Sequence, residues 1–160
     1  MSAFPAIRPL AASDAPAAAA LIRAAFAEQG AETEPPSSAL KETAEAVLRK
    51  LAEGGGFAAE SAGEMIALVL FAPDGDALYV GRLAVVSAWR GRGLSARLLA
   101  LAEAEARRLG YGKTRLRVRL ALPANRRLFE RNGYRQVAVL AHPGFDHPTF
   151  AVMEKPTENA

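Results

Sequence analysis

A strand that leads through a glycine-rich turn directly into a long helix is the feature that most restricts how this chain can fold. The strand is predicted over residues 78–86, with Gly81 as a bulge, and the helix over Leu94 to about Leu109. Between them stands Arg90-Gly91-Arg92-Gly93. Such a helix start directs free backbone N–H groups towards one point, and glycine permits close approach of a ligand. The segment therefore predicts a phosphate-binding turn in an α/β architecture.

The distribution of charge supports an anionic ligand at this part of the chain. Residues 1–81 carry 5 Lys/Arg and 11 Asp/Glu, whereas residues 82–135 carry 14 Lys/Arg and 3 Asp/Glu. Such a division favours a bound anion on the middle of the chain, and a solvated arginine-rich helix surface is the alternative.

Periodicity predicts one domain over residues 1–160, in the order β-α-α-β-β-β-α-β-α-β-β. This order indicates an α/β (α+β) fold in which helices cover a mixed sheet. The first helix begins near Ser13. The second is expected to bury Val47 and Leu48, and the helix from Leu94 to bury Leu98 and Leu109. The other predicted strands cover 6–10, 57–60, 64–71, 114–120, 134–140 and 149–153.

Composition excludes several kinds of site. The chain has 0 cysteines, which excludes disulfides, thiolate metal sites and a cysteine nucleophile. Its 2 histidines, His142 and His147, are too few for a metal cluster, so no metal is predicted. No apolar run is long enough to span a bilayer, and the apolar segment 15–22 lacks the basic start of a secretory signal. A cytoplasmic location is therefore expected.

Three kinds of phosphate or anion site compete for the turn. A Walker-type loop fails because no Gly-Lys-Ser/Thr follows it. Gly91, Gly93 and Ala96 match a dinucleotide fingerprint, and Arg115, Arg117 and Arg119 stand where an NADP-type site could use them. That match lies past mid-chain, however, with no room for repeated βαβ units. A non-catalytic module binding anions or nucleic acid is the remaining alternative.

Two blocks of sequence resemble the GNAT acetyltransferases. Arg90 to Ser95 matches the family's pyrophosphate loop, Gln/Arg-x-x-Gly-x-Gly/Ala, with serine in the last, small-residue place, and Leu83-Ala84-Val85 is typical of its fourth strand. Leu128 to Tyr134 resembles its second signature. The resemblance implies a mixed, mostly antiparallel sheet flanked by helices. It also implies acetyl-CoA as the acetyl donor and N-acetyltransferase activity.

The resemblance also implies roles for individual residues. Leu83 and Val85 would offer backbone groups to the acetyl carbonyl and the pantetheine arm, and an N–H near Val85 would stabilise the oxyanion. The residues that would bind the cofactor are Leu83, Ala84, Val85, Arg90, Gly91, Arg92, Gly93, Leu94, Ser95, Ala96, Asn125 and Phe129.

The chain departs from the family at two of its positions. Phe129 replaces a tyrosine that many members use to protonate the leaving thiolate, so Phe129 is expected to serve packing. Leu122 replaces a frequent asparagine, and Asn125 either takes over its contact or only starts a helix.

Candidates for the catalytic residues come from two places. Tyr79 lies on the strand before the turn, and Asp146 and His147, together with His142, lie in the loop before the last strand. A water-relayed deprotonation is the alternative to a side-chain base.

The acceptor is expected to be a small-molecule or peptide amine, with a small cationic amine favoured. Glu28, Glu32 and Glu34 lie in the connection between the first two helices, where their carboxylates would attract a cation. Neither a membrane nor a nucleic acid is an expected partner, since few aromatic residues are interleaved with the arginines. A homodimer is left open.

Overall fold

The computed structural model describes residues 4–28 and 33–157. The described residues form seven strands and four α-helices in the predicted order. The strands are β1 (Ala6–Pro9), β2 (Gly55–Ser61), β3 (Glu64–Asp74), β4 (Ala77–Val85), β5 (Lys113–Arg119), β6 (Arg135–Leu140) and β7 (Phe150–Pro156). The helices are α1 (Ala15–Glu28), α2 (Ala44–Glu53), α3 (Leu94–Arg108) and α4 (Pro123–Arg131).

The strands make one mixed sheet in the order β1-β2-β3-β4-β5-β7-β6. All neighbours are antiparallel except β4 and β5, which are parallel because α3 carries the chain from one to the other. These two strands are paired at two positions, Leu78 with Thr114 and Tyr79 with Arg115, and then diverge. The divergence opens the middle of the sheet towards the carboxyl ends of β4 and β5.

Helices cover both faces of the sheet. On one face α3 buries Leu94, Leu98 and Ala102 against strand residues such as Val69 and Leu116. On the other face α1 and α2 pack against β3 and β4, with Ile22 and Val47 fully buried. The alanine-rich α1 suits this position because short side chains let it approach the sheet closely. No helix in the described ranges has the length and apolarity needed to cross a membrane.

Two residues predicted to be buried are exposed, for a different reason in each helix. Leu109 is 46% exposed because α3 ends at Arg108, and Ala106 is buried in its place. Leu48 is 41% exposed because α2 is rotated so that Val47 faces the sheet. α2 begins at Ala44, where the Thr43 hydroxyl accepts a 3.1 Å hydrogen bond from the Ala46 amide, and a separate 3-10 turn, Ser38–Lys41, precedes it.

The bulge predicted at Gly81 is present in β4, and the residue with the unusual backbone conformation is the next one, Arg82. Leu70 is opposite Gly81 and Leu68 is opposite Ala84, so Val69 has two residues of β4 across from it. Arg82 has a φ of 55°, a left-handed conformation that is uncommon for a residue with a side chain. The bulge redirects β4 at the level where it leaves β5.

Candidate functional site

A cleft of about 820 Å³ occupies the opening between β4 and β5. Its floor consists of β4 from Tyr79 to Val85 and β5 from Leu116 to Arg119. The glycine-rich turn and the start of α3 border one end, and α4 lies beside them. The other end is bordered by the segment before α2 and by His142 and Phe150. A ligand in this cleft therefore contacts backbone groups from two diverging strands.

The glycine-rich turn presents the free end of α3 to the cleft. Gly91 and Gly93 have φ of 76° and 83°, and Gly93 is the N-cap of α3 without any side-chain cap. The Arg97 amide donates to the Gly93 carbonyl at 3.2 Å, whereas the first N–H groups of a helix have no partner within the helix. No acidic residue stands in the first turn of α3. The turn therefore has the amides and the helix dipole that bind a phosphate.

The arginines of the turn are already engaged with the protein. The Arg90 guanidinium donates to the Val85 carbonyl at 3.0 Å and to Glu28 at 2.6 Å. The Arg92 guanidinium lies 4.5 Å from the centre of the Trp89 ring. Of the predicted cofactor residues, all line the cleft except Arg92, so the structure brings together the set taken from strand, turn and α4.

An ion cluster supports the bulge of β4, and it consists of the buried Glu42 with Lys50 and Arg82. The Glu42 side chain is 2% exposed and accepts from Lys50 at 2.6 Å and from Arg82 at 2.8 Å. Arg82 also donates to the Ser38 hydroxyl at 3.1 Å. Burial alone would raise the pKa of Glu42, but the hydrogen bonds from Lys50 and Arg82 outweigh it and lower that pKa. Sequence reasoning missed this cluster because its acid and its arginine stand 40 residues apart.

Tyr79 stands at the last paired position of β4, where the cleft begins. Its ring covers Gly81, since a Cβ placed there would come within 2.9 Å of the ring. Burial raises the pKa of Tyr79, and the nearby charges of Arg117 and Arg82 and a backbone hydrogen bond with Arg117 offset this only in part. The phenol therefore stays protonated at neutral pH, when it can donate a proton and cannot accept one as a base.

The loop before β7 places its three predicted residues differently. His142 lines the cleft, and its backbone N–H donates to the Thr149 hydroxyl at 2.9 Å. Burial, with the charges of Arg119 and Arg117, lowers the pKa of His142, so its ring is neutral at pH 7. Asp146 and His147 contact each other at 3.0 Å, are exposed, and do not line the cleft.

The residues of α4 lie on the cofactor side of the cleft. Phe129 packs against the main core and meets Tyr134 edge-on, with ring centres 6.0 Å apart. Its ring also lines the cleft, as does Asn125 in the first turn of α4. The geometry gives Phe129 the packing role that its chemistry predicts.

Comparison with known proteins places the chain in one family. The model of the acetyltransferase (GNAT) family matches residues 19–134. That range holds both blocks on which the resemblance was based, and most of the residues that line the cleft. No curated protein sequence matches the chain significantly.

Solved structures show the same fold at low sequence identity. The ribosomal-protein-S18-alanine N-acetyltransferase of Escherichia coli is 21% identical with a TM-score of 0.74, over 98% of this chain and 96% of that one. The PaiA N-acetyltransferase of Thermoplasma acidophilum, solved in complex with coenzyme A, is 18% identical with a TM-score of 0.77, over 96% and 99%. A GNAT family acetyltransferase of Elizabethkingia anophelis, solved with acetyl-CoA bound, is 16% identical with a TM-score of 0.70, over 96% and 98%.

Proposed function

Because the chain belongs to the GNAT acetyltransferase family, whose members are acyltransferases that use acetyl-CoA, we propose that it moves an acetyl group to a primary amine. The transfer takes place by direct attack of the amine in a ternary complex. With 0 cysteines, the chain has no thiol to form an acyl-enzyme, which favours the direct route.

One observation carries this proposal: an uncapped helix start faces an opening between two parallel strands. The N–H groups at the start of α3, after Gly93, fit a pyrophosphate, and the diverging strands leave backbone groups for an extended ligand arm. In this assignment Gly91 to Ala96 hold the pyrophosphate, and Leu83 and Val85 bind the pantetheine arm and the acetyl carbonyl. The family match leaves the dinucleotide interpretation of Gly91, Gly93 and Ala96 without support of its own.

The residues of β4 provide the electrostatic part of the chemistry. Acetyl-CoA supplies the acetyl group as a thioester, in which the C–S bond breaks as the amine nitrogen bonds to the carbonyl carbon. A backbone N–H near Val85 stabilises the negative charge that develops on the acyl oxygen. The bulge at Arg82 aims this part of β4 into the cleft, and Glu42 holds the bulge in place.

The proton balance involves the residues at the other end of the cleft. Tyr79 lines the cleft and its phenol is protonated at neutral pH, so we assign it to protonating the leaving thiolate. The thiolate departs with little help because thiols have a pKa of about 8.5. The amine must lose a proton before attack. Asp146 and His147 stay predictions as bases, and they would act through water because they do not line the cleft. His142 lines it and is neutral.

The charged residues around the cleft bear on which acceptor amine binds there. The preference for a cationic amine depended on three carboxylates expected in the connection between the first two helices, of which Glu28 is instead the last residue of α1. Glu28 is paired with Arg90, Glu34 is exposed and does not line the cleft, and Glu32 lies outside the described residues. Among its described lining residues the cleft has no carboxylate. It has five arginines: Arg82, Arg90, Arg117, Arg119 and Arg131.

Calorimetry and initial-rate kinetics test the proposed function. We expect coenzyme A to bind and NADP not to bind, and we expect an amine panel with acetyl-CoA to give intersecting double-reciprocal lines. Binding of NADP without coenzyme A would favour the dinucleotide alternative. Parallel lines would contradict direct attack and require an acyl-enzyme.

A further inference from the structure

The acceptor end of the cleft is lined by Tyr79, Arg82, Arg117, Arg119, His142 and Phe150. Among the described residues, a carboxylate pairs with only one of its three arginines. Arg82 is paired with the buried Glu42. The Arg119 guanidinium donates to the Pro35 carbonyl, which bears no charge. These two arginines are thus held by the protein, one by an ion pair and one by a neutral acceptor.

Arg117 is different. It is exposed in the cleft, and its guanidinium carbon lies 5.3 Å from the centre of the Phe150 ring. Polar groups of the protein hold the other two arginines of β5, Arg115 and Arg119. By contrast, no carboxylate of the described residues forms an ion pair with Arg117, which lies against an aromatic ring. Arg117 therefore presents its hydrogen-bond donors to whatever fills this end of the cleft.

Arg115, two residues earlier on the same face of β5, shows what the chain does when an arginine is structural. It donates to Glu154 at 2.7 Å, to Asp76 at 3.0 Å and to Asp74 at 3.2 Å. Side chains two apart on a strand point to the same side of the sheet. Carboxylates thus surround Arg115, whereas none from residues 4–28 or 33–157 forms an ion pair with Arg117, which lies where the strands have parted.

We propose that the acceptor amine carries a carboxylate close to its amino group, and that Arg117 binds this carboxylate at the acceptor end of the cleft. This inference rests on the proposed N-acetyltransferase function. A guanidinium binds a carboxylate through two parallel hydrogen bonds, which orients the ligand as well as holding it. The Phe150 ring, 7% exposed, forms an apolar wall beside this site, and an apolar wall strengthens an ion pair by excluding water.

The binding of the carboxylate would also place the amino group. Tyr79 stands at the point where β4 and β5 part, and Arg117 lies near enough for its charge to act on that phenol. An acceptor held at Arg117 by a neighbouring carboxylate therefore has its amine within the cleft rather than at its mouth. Amines without the carboxylate would lack the contact with Arg117 and the orientation that it gives. Their kcat/KM should therefore fall more than their kcat at saturating amine.

Matched pairs of amines test the inference. Each pair consists of an amino acid and its decarboxylated amine, for example leucine with isoamylamine and lysine with cadaverine. Initial rates with acetyl-CoA are measured for the wild type, Arg117→Ala, Arg117→Lys and the control Arg107→Ala, which removes an equal charge from an exposed position outside the cleft. Calorimetry with coenzyme A accompanies each variant.

We expect the wild type to prefer the carboxylate-bearing member by at least tenfold in kcat/KM. Arg117→Ala should abolish the preference, Arg117→Lys should restore part of it, and Arg107→Ala should keep it. A preference for the decarboxylated members, an unchanged ratio in Arg117→Ala, or no turnover of either arm while coenzyme A binds would each overturn the inference. If the wild type does not bind coenzyme A, the proposed function is overturned instead. Failure of the inference and failure of the proposed function are therefore distinguishable.

Discussion

The strongest test of the cofactor site is the replacement of Gly93 by leucine. Gly93 has a φ of 83°, and no atom lies within 4 Å of a Cβ placed there. The substitution therefore costs backbone strain of about 1–2 kcal/mol without a clash in the free protein. Gly110 is a matched control, because it has a φ of 89° and equally open space but follows the far end of α3. Gly110→Leu should lose the same stability, as measured by urea unfolding.

Only the variant at Gly93 should lose affinity for coenzyme A. Its new side chain would stand beside the amides at the start of α3 and separate them from the pyrophosphate. Each hydrogen bond lost to a charged acceptor costs about 1.5–3 kcal/mol, which corresponds to a Kd roughly 10- to 100-fold weaker. Isothermal titration calorimetry measures this directly. A Gly93→Leu variant that keeps the wild-type Kd, or a Gly110→Leu variant that is weakened equally, would refute the assignment of the turn.

Three other substitutions test the support around the cleft. Tyr79→Phe should lower kcat and leave the pH dependence between about pH 6 and 9 unchanged, because burial raises the pKa of that phenol; an altered limb in that range would show that Tyr79 ionises there. Phe129→Leu should destabilise the fold by about 1 kcal/mol in urea and leave the pH profile of turnover as it is, whereas a changed profile would give Phe129 more than a packing role. Glu42→Gln should cost about 3 kcal/mol at pH 7, the low end for a buried pair because Lys50 and Arg82 still reach water. The lowered pKa of Glu42 gives stability that is present above about pH 4.3 and is lost as the pH falls through the folded-state pKa, so the difference between wild type and variant should shrink in acid; a constant difference would contradict the ion cluster.

The sequence predicted the parts of this fold that depend on local chemistry. The order of elements is confirmed because hydrophobic periodicity and the turn residues agree along nearly the whole chain. The glycine-rich turn was found for a similar reason, since Gly93 and the amides that follow it are contiguous. Leu109 was misassigned because its helix ends one residue before it, and helix ends are the least certain part of any periodicity.

The side-chain environment of the cleft depended on contacts that no local pattern carries. No local pattern marks Glu42 as an ion-pair partner, because only the fold brings Arg82 to it. Glu28, Glu32 and Glu34 suggested an acidic acceptor site, but Glu28 is the last residue of α1, and its ion pair with Arg90, which spans 62 residues, directs it towards the glycine-rich turn. Arg117 was visible in the sequence only as one of three alternating arginines, and only the fold shows that the carboxylates of the described residues surround Arg115 and not Arg117.

The divergence of β4 and β5 gives the sheet two edges in its middle as well as the two at its sides. Unpaired strand edges are templates for pairing with other chains. On the edge of β4 that faces β5, the Val85 carbonyl already accepts a hydrogen bond from the Arg90 side chain. A ligand arm lying between the strands would cover the remaining groups as an added strand would. The coenzyme A part of the donor would thus act as a structural component of the sheet as well as a substrate. The protein's resistance to aggregation would then rise with the concentration of acetyl-CoA.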